Sequence, residues 1–270
     1  MKNIPFKTAL SVAGSDSSGG AGIQADLKTF QSLNVFGMSA VTAVTVQNTK
    51  GVSAVHNIPP EIVKGQINSL FEDIKIDSVK IGMLSTAEII EAVYEALVEN
   101  KPYFTVLDPV MISKSGFLLI QEDAVQAMIK KLFPLAYLVT PNIHEASKLA
   151  GFEVKNIKDM EKAAEIIYDF GCKNVFVKGG HLAGDDCTDV LYDGAEFTYF
   201  NKKRYNTRNT HGTGCTLSSA IAAGLAKGSD LIQALQLSKD YITGAIENSV
   251  TLGSGCGPTH HFFDYYRWKK

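Results

Sequence analysis

The chain has 270 residues, 45% hydrophobic and 20% charged, which is enough apolar material for one large α/β domain spanning 1–270. Its 26 basic and 28 acidic residues leave a net charge of −2, excluding the charge balance that gathers nucleic acid or anionic lipid and pointing to a small-molecule partner. No apolar run reaches the ~20 residues that cross a bilayer, and Cys172, Cys187, Cys215 and Cys256 form no C-x-x-C pair, so a cytoplasmic protein without disulfide framework or zinc knuckle is expected.

In chain order, short β-rich apolar runs alternate with helical patterns. Ala9–Ala13 reads as a strand and Ile23 to about Leu33 as a helix; Ala40–Val46 is followed by Glu61–Phe71, and Val79–Met83 by Ala87–Val98. The alternation continues through Phe104–Leu107, Ala124–Phe133, Tyr137–Thr140, Ile143–Leu149, Met160–Phe170 and Val175–Lys178, the pattern of a parallel sheet covered on both faces. Asp189–Asp193 and Glu196–Phe200, around Asp193-Gly194, predict an antiparallel hairpin at the sheet edge. Two helices follow, Thr213–Ala226 and Leu231–Glu247, and in the first a single stripe (Leu217, Ala220, Ile221, Leu225) is predicted to be buried. The tail from 260 to 270 reads as packing aromatics plus a solvated end, and GSGCGP (253–258) lies too near the C-terminus to divide domains.

Several strand ends carry residues suited to chemistry. Gly20-Ala21-Gly22-Ile23-Gln24-Ala25 fits a dinucleotide fingerprint, but no Asp, Glu or Arg occurs between Asp26 and Glu61 to hold a ribose, so that reading is rejected, and there is no P-loop. Asp16, Ser17, Ser18 and Asp26 stand ready either for a polar ligand or for a turn and a solvated helix face. Gln47 offers both a donor and an acceptor to a heterocycle, or is part of a turn. Asp108, Asn142 and Glu145 read equally as helix caps or as a hard oxygen site for Mg²⁺ beside phosphates. Lys178, followed by two glycines, is either a solvated strand end or a phosphate ligand, and Asp189 a hairpin residue. With Arg204, Arg208 and Arg267 the only arginines, anion binding earlier in the chain depends on lysine, backbone N–H groups or a metal.

Gly212, Thr213 and Gly214 supply consecutive N–H groups at a helix start, an anion-binding turn, and the same positive field is expected to lower the pKa of Cys215. Such a thiolate accepts a proton from a substrate alcohol; a buried packing residue, or a nucleophile served by His211, are the alternatives. Two small polar stretches, Ser113 to Phe117 and Leu182 to Asp186, are candidate lids.

AGSDSSGGAGIQADLKTF (13–30), QNTKGV, KIGML (80–84), LDPVM, SKSG, TPN-x-x-EA, VKGGH, NTHGTGCTLSSAIAA and GPTHHF together resemble the hydroxymethylpyrimidine and hydroxymethylpyrimidine-phosphate kinases of thiamine biosynthesis, within the ribokinase-like superfamily. The resemblance runs almost from end to end. It implies a three-layer α/β/α sandwich with a mostly parallel sheet, a homodimer, and MgATP-dependent phosphorylation of 4-amino-5-hydroxymethyl-2-methylpyrimidine and then of its monophosphate. Carried over position by position, it makes Gln47 the pyrimidine reader, with Asp26, Gly14, Val44 or Thr45 and Met83 around the ring. Asp108 and Glu145 become the magnesium acids, with Asn142 beside them; Lys178 binds the ATP phosphates, with Asp189 and Thr213 on the nucleotide side; Gly212 to Gly214 form the anion hole and Cys215 is the base. The wider superfamily has aspartate where Cys215 stands, but some vitamin B6 kinases share the cysteine, so a pyridoxal kinase is the runner-up and a non-catalytic pyrimidine sensor a third reading.

Overall fold

A computed structural model describes residues 6–113, 116–180, 182 and 186–266. Its strands are β1 (Lys7–Ser15), β2 (Val35–Asn48), β3 (Gly51–Asn57), β4 (Ser78–Ile81), β5 (Thr105–Leu107), β6 (Leu138–Val139), β7 (Val175–Val177), β8 (Asp186–Tyr192) and β9 (Phe197–Lys203). They form one sheet in the order β3-β2-β1-β4-β5-β6-β7-β8-β9. The helices are α1 (Gly22–Ser32), α2 (Pro60–Asp73), α3 (Ala87–Asn100), α4 (Glu122–Lys131), α5 (Ile143–Ala150), α6 (Ile157–Tyr168), α7 (Thr213–Ala226) and α8 (Leu231–Glu247).

Strand alternation sorts the apolar residues into two cores. Leu10, Val12, Val79, Ile81, Leu107, Val139, Val175 and Val177 enter the core shared with α2 to α6, while Ala9, Val106, Leu138 and Phe176 enter the one shared with α1, α7 and α8. Both faces of the inner strands are therefore apolar, as a parallel sheet between helical layers requires. The pairs from β2 through β1, β4, β5 and β6 to β7 are parallel. The chain leaves β1 in one direction for β2 and later in the other for β4, so the carboxyl ends of β1 and β4 flank a topological switch point, where α/β folds open a crevice.

The predicted hairpin is present as β8 and β9, and β8 also runs antiparallel to β7. A second antiparallel pair, β2 with β3, is not expected from the sequence: of the two readings of the QNTKGV stretch the turn holds, and it joins a ribbon whose β3 residues are largely exposed and carry no apolar alternation. The single-stripe reading of α7 is corrected as well. Every residue from Thr216 to Ala226 is buried, because α7 lies between the sheet, α1 and α8. Helix α6 begins before the predicted Met160 because Asn156 caps it through Asp159 N–H, and α4 stops before Pro134, where the turn Phe133–Leu135 takes over.

Candidate active site

A cavity of about 760 Å³ opens along the carboxyl edge of the sheet. It is lined at one end by Gly14, Thr45, Gln47 and Met83, in the middle by Cys215 and Gly212 to Gly214, and beyond them by Asp108, Asn142, Glu145, Lys178 and Asp189. Thirteen of the fifteen site residues expected from the sequence thus share one space.

The glycine turn that opens α7 is built by backbone. Gly212 caps α7 with φ of 77° in the left-handed region, and a Cβ there would overlap the Gly20 carbonyl oxygen, so only glycine fits. Thr213 N–H reaches Thr210 O at 3.4 Å, while the N–H groups of Gly214 and Cys215 meet no acceptor among the described residues, which leaves them for an anion. Cys215 is half-buried and opens on the cavity. Its expected acidity is corrected: burial pushes the thiol up to about 11, outweighing the Lys80 ammonium and the Gly22 N–H that favour the thiolate.

Two carboxylates and a lysine form the centre. Lys178 is not a solvated strand end; it is buried, and its Nζ lies 2.7 Å from Asp108 Oδ1, while Thr140 and Ser218 hydroxyls donate to the two Asp108 oxygens at 3.4 Å. Glu145 completes a capping box, accepting from Asn142 N–H at 2.8 Å while the Asn142 side chain accepts from His144 and Glu145 N–H groups. The cap therefore holds Glu145 beside the pair. Burial pushes the Glu145 carboxyl up from 4.5 to about 7, with the Asp108 charge adding to the rise and Lys178 opposing it.

That shift has a stability consequence. Folding tightens the Glu145 proton, so the stabilisation is complete below the unfolded value of 4.5 and is lost as pH rises through about 7. In nucleotide-free protein taken from about pH 5 to about pH 8, the melting temperature should fall more for the parent than for Glu145→Gln, which has no proton to lose. Parallel pH dependences would contradict this.

At the other end, Gln47 places Oε1 3.2 Å from Thr45 Oγ1 and Nε2 3.2 Å from His211 Nε2. Gly14 stays small because a Cβ would stand 3.0 Å from the Met83 sulfur. Two expected ring contacts are corrected. Val44 is 46% exposed and lies outside the cavity because strand alternation turns it away, leaving Thr45 to face inward. Asp26 is fully buried and does not line the cavity; its carboxylate holds Lys80 together with the Ser11 and Ser219 hydroxyls.

Asp16 organises the loop after β1. It accepts from Ser18, Gly20 and Ala21 N–H groups and from His211 Nε2 at 2.7 Å. Burial alone would raise its carboxyl, but the His211 and Ser18 hydrogen bonds hold it at about 2. Asp16 and His211 thereby fasten the loop after β1 to the glycine turn that opens α7. Asp189 is similarly internal, accepting from Gly179 N–H at 2.7 Å and pairing with the buried Lys239. Arg204 donates to the Gly180 and Leu182 carbonyls.

Sequence reasoning missed Lys80, Lys239, the Asp16–His211 contact and the returning C-terminal segment. In that segment Cys256 N–H donates to Thr49 O and His211 bridges to Pro258, so GSGCGP is a clamp on the Gln47 end of the cavity. Its glycines were the available signal: a Cβ at Gly255 or Gly257 would overlap the Thr49 backbone or the Asn209 side chain. Of the candidate lids, Ser113 and Gly116 line the cavity, whereas 114–115 and 183–185 lie outside the described residues, as do 267–270 of the tail. Within the tail's described part, Phe263 packs against Tyr241.

Comparison with known proteins bears on this geometry. A family model described as phosphomethylpyrimidine kinase matches residues 16–260. The hydroxymethylpyrimidine/phosphomethylpyrimidine kinase of Rhizobium meliloti is 49% identical, with 97% of this chain and 98% of that one covered. A thiamine biosynthesis bifunctional protein of Geobacter sulfurreducens is 49% identical over 96% of this chain, which spans 53% of that longer relative. Among solved structures, an ADP complex of Bacillus subtilis pyridoxal kinase superimposes with a TM-score of 0.89 at 41% identity, covering 95% of this chain and 97% of that one, so the sheet and its two helical layers are those of the ribokinase-like kinases. The chain belongs to the phosphomethylpyrimidine kinase family.

Proposed function

We propose that Cys215 is the base in the first of two successive phosphoryl transfers carried out in this one cavity, the one in which the acceptor is an alcohol. The chain is a phosphotransferase of thiamine biosynthesis, a hydroxymethylpyrimidine/phosphomethylpyrimidine kinase, and it uses ATP. Gln47, with Thr45 and Met83 beside it, holds the pyrimidine; Lys178, Asn142, Thr213 and Asp189 lie on the side of the nucleotide. The substrate's hydroxymethyl oxygen gives its proton to Cys215 Sγ as it bonds to the γ-phosphorus and ADP departs. Charge developing on the transferred group meets the free N–H groups of Gly214 and Cys215. The observation that carries this reading is that one cavity is lined at once by Gln47, Cys215, Lys178 and the anion turn.

The acids fit a divalent cation brought by the nucleotide. Among the described residues no group of three or more His, Cys, Asp or Glu is placed to hold a metal, so Asp108 and Glu145 would supply two oxygens and phosphates or water the rest, the mode suited to Mg²⁺. When bound, Mg²⁺ neutralises phosphate charge; Lys178 does the same from the protein side. Exposed Val44 and Val46 on the β2–β3 ribbon, beside the open edge of β3, support a homodimer joined there. Four free thiols support work in the reducing cytoplasm, and no helix among the described residues is long and apolar enough to cross a membrane.

The test follows ADP release from MgATP with hydroxymethylpyrimidine, its monophosphate or pyridoxal as acceptor. Release should be fastest with the two pyrimidines. Fastest release with pyridoxal would instead favour a vitamin B6 kinase, and ligand-dependent melting shifts without any ADP would favour a sensor.

A further inference from the structure

A charge pair lies below Cys215 that no step above employs. The alternation that sends Val79 and Ile81 into one core turns Lys80, fully buried, toward α1 and α7 on the opposite face. Its Nζ stands 3.0 and 2.9 Å from the two oxygens of Asp26. Those oxygens also accept from Ser219 and Ser11 hydroxyls, each at 2.6 Å, so the carboxylate's lone pairs are filled. The ammonium is not so fully used: it has three N–H groups, and among the described residues only Asp26 accepts from it. Lys80 nevertheless lines the cavity, and its Nζ packs over Gly82, where a Cβ would come within 2.8 Å. Cys215 and Ser219 are four residues apart on α7 and hence stacked on one face. Since Ser219 touches Asp26, the sulfur stands one turn above the same pair.

A buried ion pair adds little stability over a well-packed apolar pair, so its presence beside a reactive group calls for a role in the chemistry. We propose that Lys80 is the counter-ion of the Cys215 thiolate, a positioning residue whose ammonium, tethered by Asp26, holds negative sulfur where the substrate alcohol meets the γ-phosphorus. This rests on Cys215 being the base. Among the described residues, the charges acting on the sulfur include Lys80 from β4, Lys178 beyond β7, Asp26 from α1 and Asp108 beyond β5; Lys80 favours the thiolate most, while both carboxylates oppose it. The thiol first loses its proton to water in the open cavity. The thiolate then takes the alcohol proton as the new O–P bond forms and the bond from γ-phosphorus to the bridging oxygen breaks, and after ADP leaves, water again removes the proton from sulfur. Lys80 keeps its three protons throughout.

The rate at which iodoacetamide alkylates Cys215 between about pH 7 and 9, followed by mass spectrometry on the peptide that carries it, tracks the thiolate fraction and so reads a shift of the thiol midpoint without turnover. Lys80→Met should raise that midpoint by about one pH unit or more, whereas Asp26→Asn, which removes an opposing charge and keeps the ammonium, should lower it. The double variant Lys80→Met/Asp26→Asn has no orphaned buried charge, serves if the single lysine variant does not fold, and should still titrate above the parent. Turnover at fixed pH should drop about tenfold per unit of rise, with KM for the pyrimidine largely kept. An unchanged midpoint in the folded double variant, or the same direction of shift in both single variants, overturns the proposal. Normal turnover in Cys215→Ala, together with the opposite midpoint shifts, would remove the base reading and still support Lys80 as the charge that governs the sulfur.

Discussion

Cys215→Ala should lower kcat by a factor on the order of 10² to 10⁴, while KM for the pyrimidine stays within about threefold of the parent. The sulfur lines the cavity between the Gln47 end and the Lys178 end, so removing it takes away the proton acceptor and leaves both binding ends in place. Few other effects are expected, because the side chain is half-buried at the first turn of α7 and the helix is held by its own core below. Serine is the informative companion: a hydroxyl is far less acidic than a thiol, so Cys215→Ser should lose nearly as much rate. Steady-state kinetics with MgATP decides the matter, and a kcat within threefold of the parent in the alanine variant would end the base assignment.

Gly212→Ala should be comparably severe for a different reason. The left-handed φ of 77° costs alanine about 1 kcal/mol, but the larger obstacle is the Gly20 carbonyl, which occupies the space a Cβ needs. Gly20 has no freedom to withdraw. Its N–H is held by Asp16 Oδ2, and its own missing Cβ leaves room for the His211 ring. The substituted turn and the loop after β1 must therefore part, displacing the Gly214 and Cys215 amides from the path of the anion. Loss of one such donor costs about 10² to 10³ in rate, so turnover should fall by at least that much and the melting temperature should fall with it. Pyrimidine binding measured by calorimetry should weaken too, because the same contact orders the loop bearing Gly14 and Asp16. Parent-like rates would show that the amides are not the anion hole.

The two cases differ in how they could be foreseen. Gly212 and Cys215 are neighbours in HGTGC, and a glycine turn entering a helix is a local motif with a local physical meaning, legible without coordinates. The acidity of Cys215 was not legible. The helix terminus suggests a lowered thiol pKa, whereas the actual direction depends on how much protein surrounds the sulfur and on Lys80, Asp26 and Asp108 arriving from three other segments. Asp26 shows the same limit: a carboxylate on an amphipathic helix after a glycine loop reads as ligand-facing or solvated, and only the packing of α1 against α7 and β4 seals it. Glu145 went the other way, since the capping motif TPNIHE was readable and the structure shows that cap.

The sequence by itself determined the alternation of strand and helix, the parallel sheet with its β8–β9 hairpin, the glycine turn at α7, and the residues gathered at strand ends, because periodicity and turn chemistry are properties of near neighbours. Only the tertiary structure decided that Lys80 meets Asp26 across 54 positions and Asp16 meets His211 across 195, that GSGCGP returns to the Gln47 end of the cavity, and that Val44 faces away. Those outcomes follow from strand order and register, which bring distant side chains together at one sheet edge and set the charge and water around each of them.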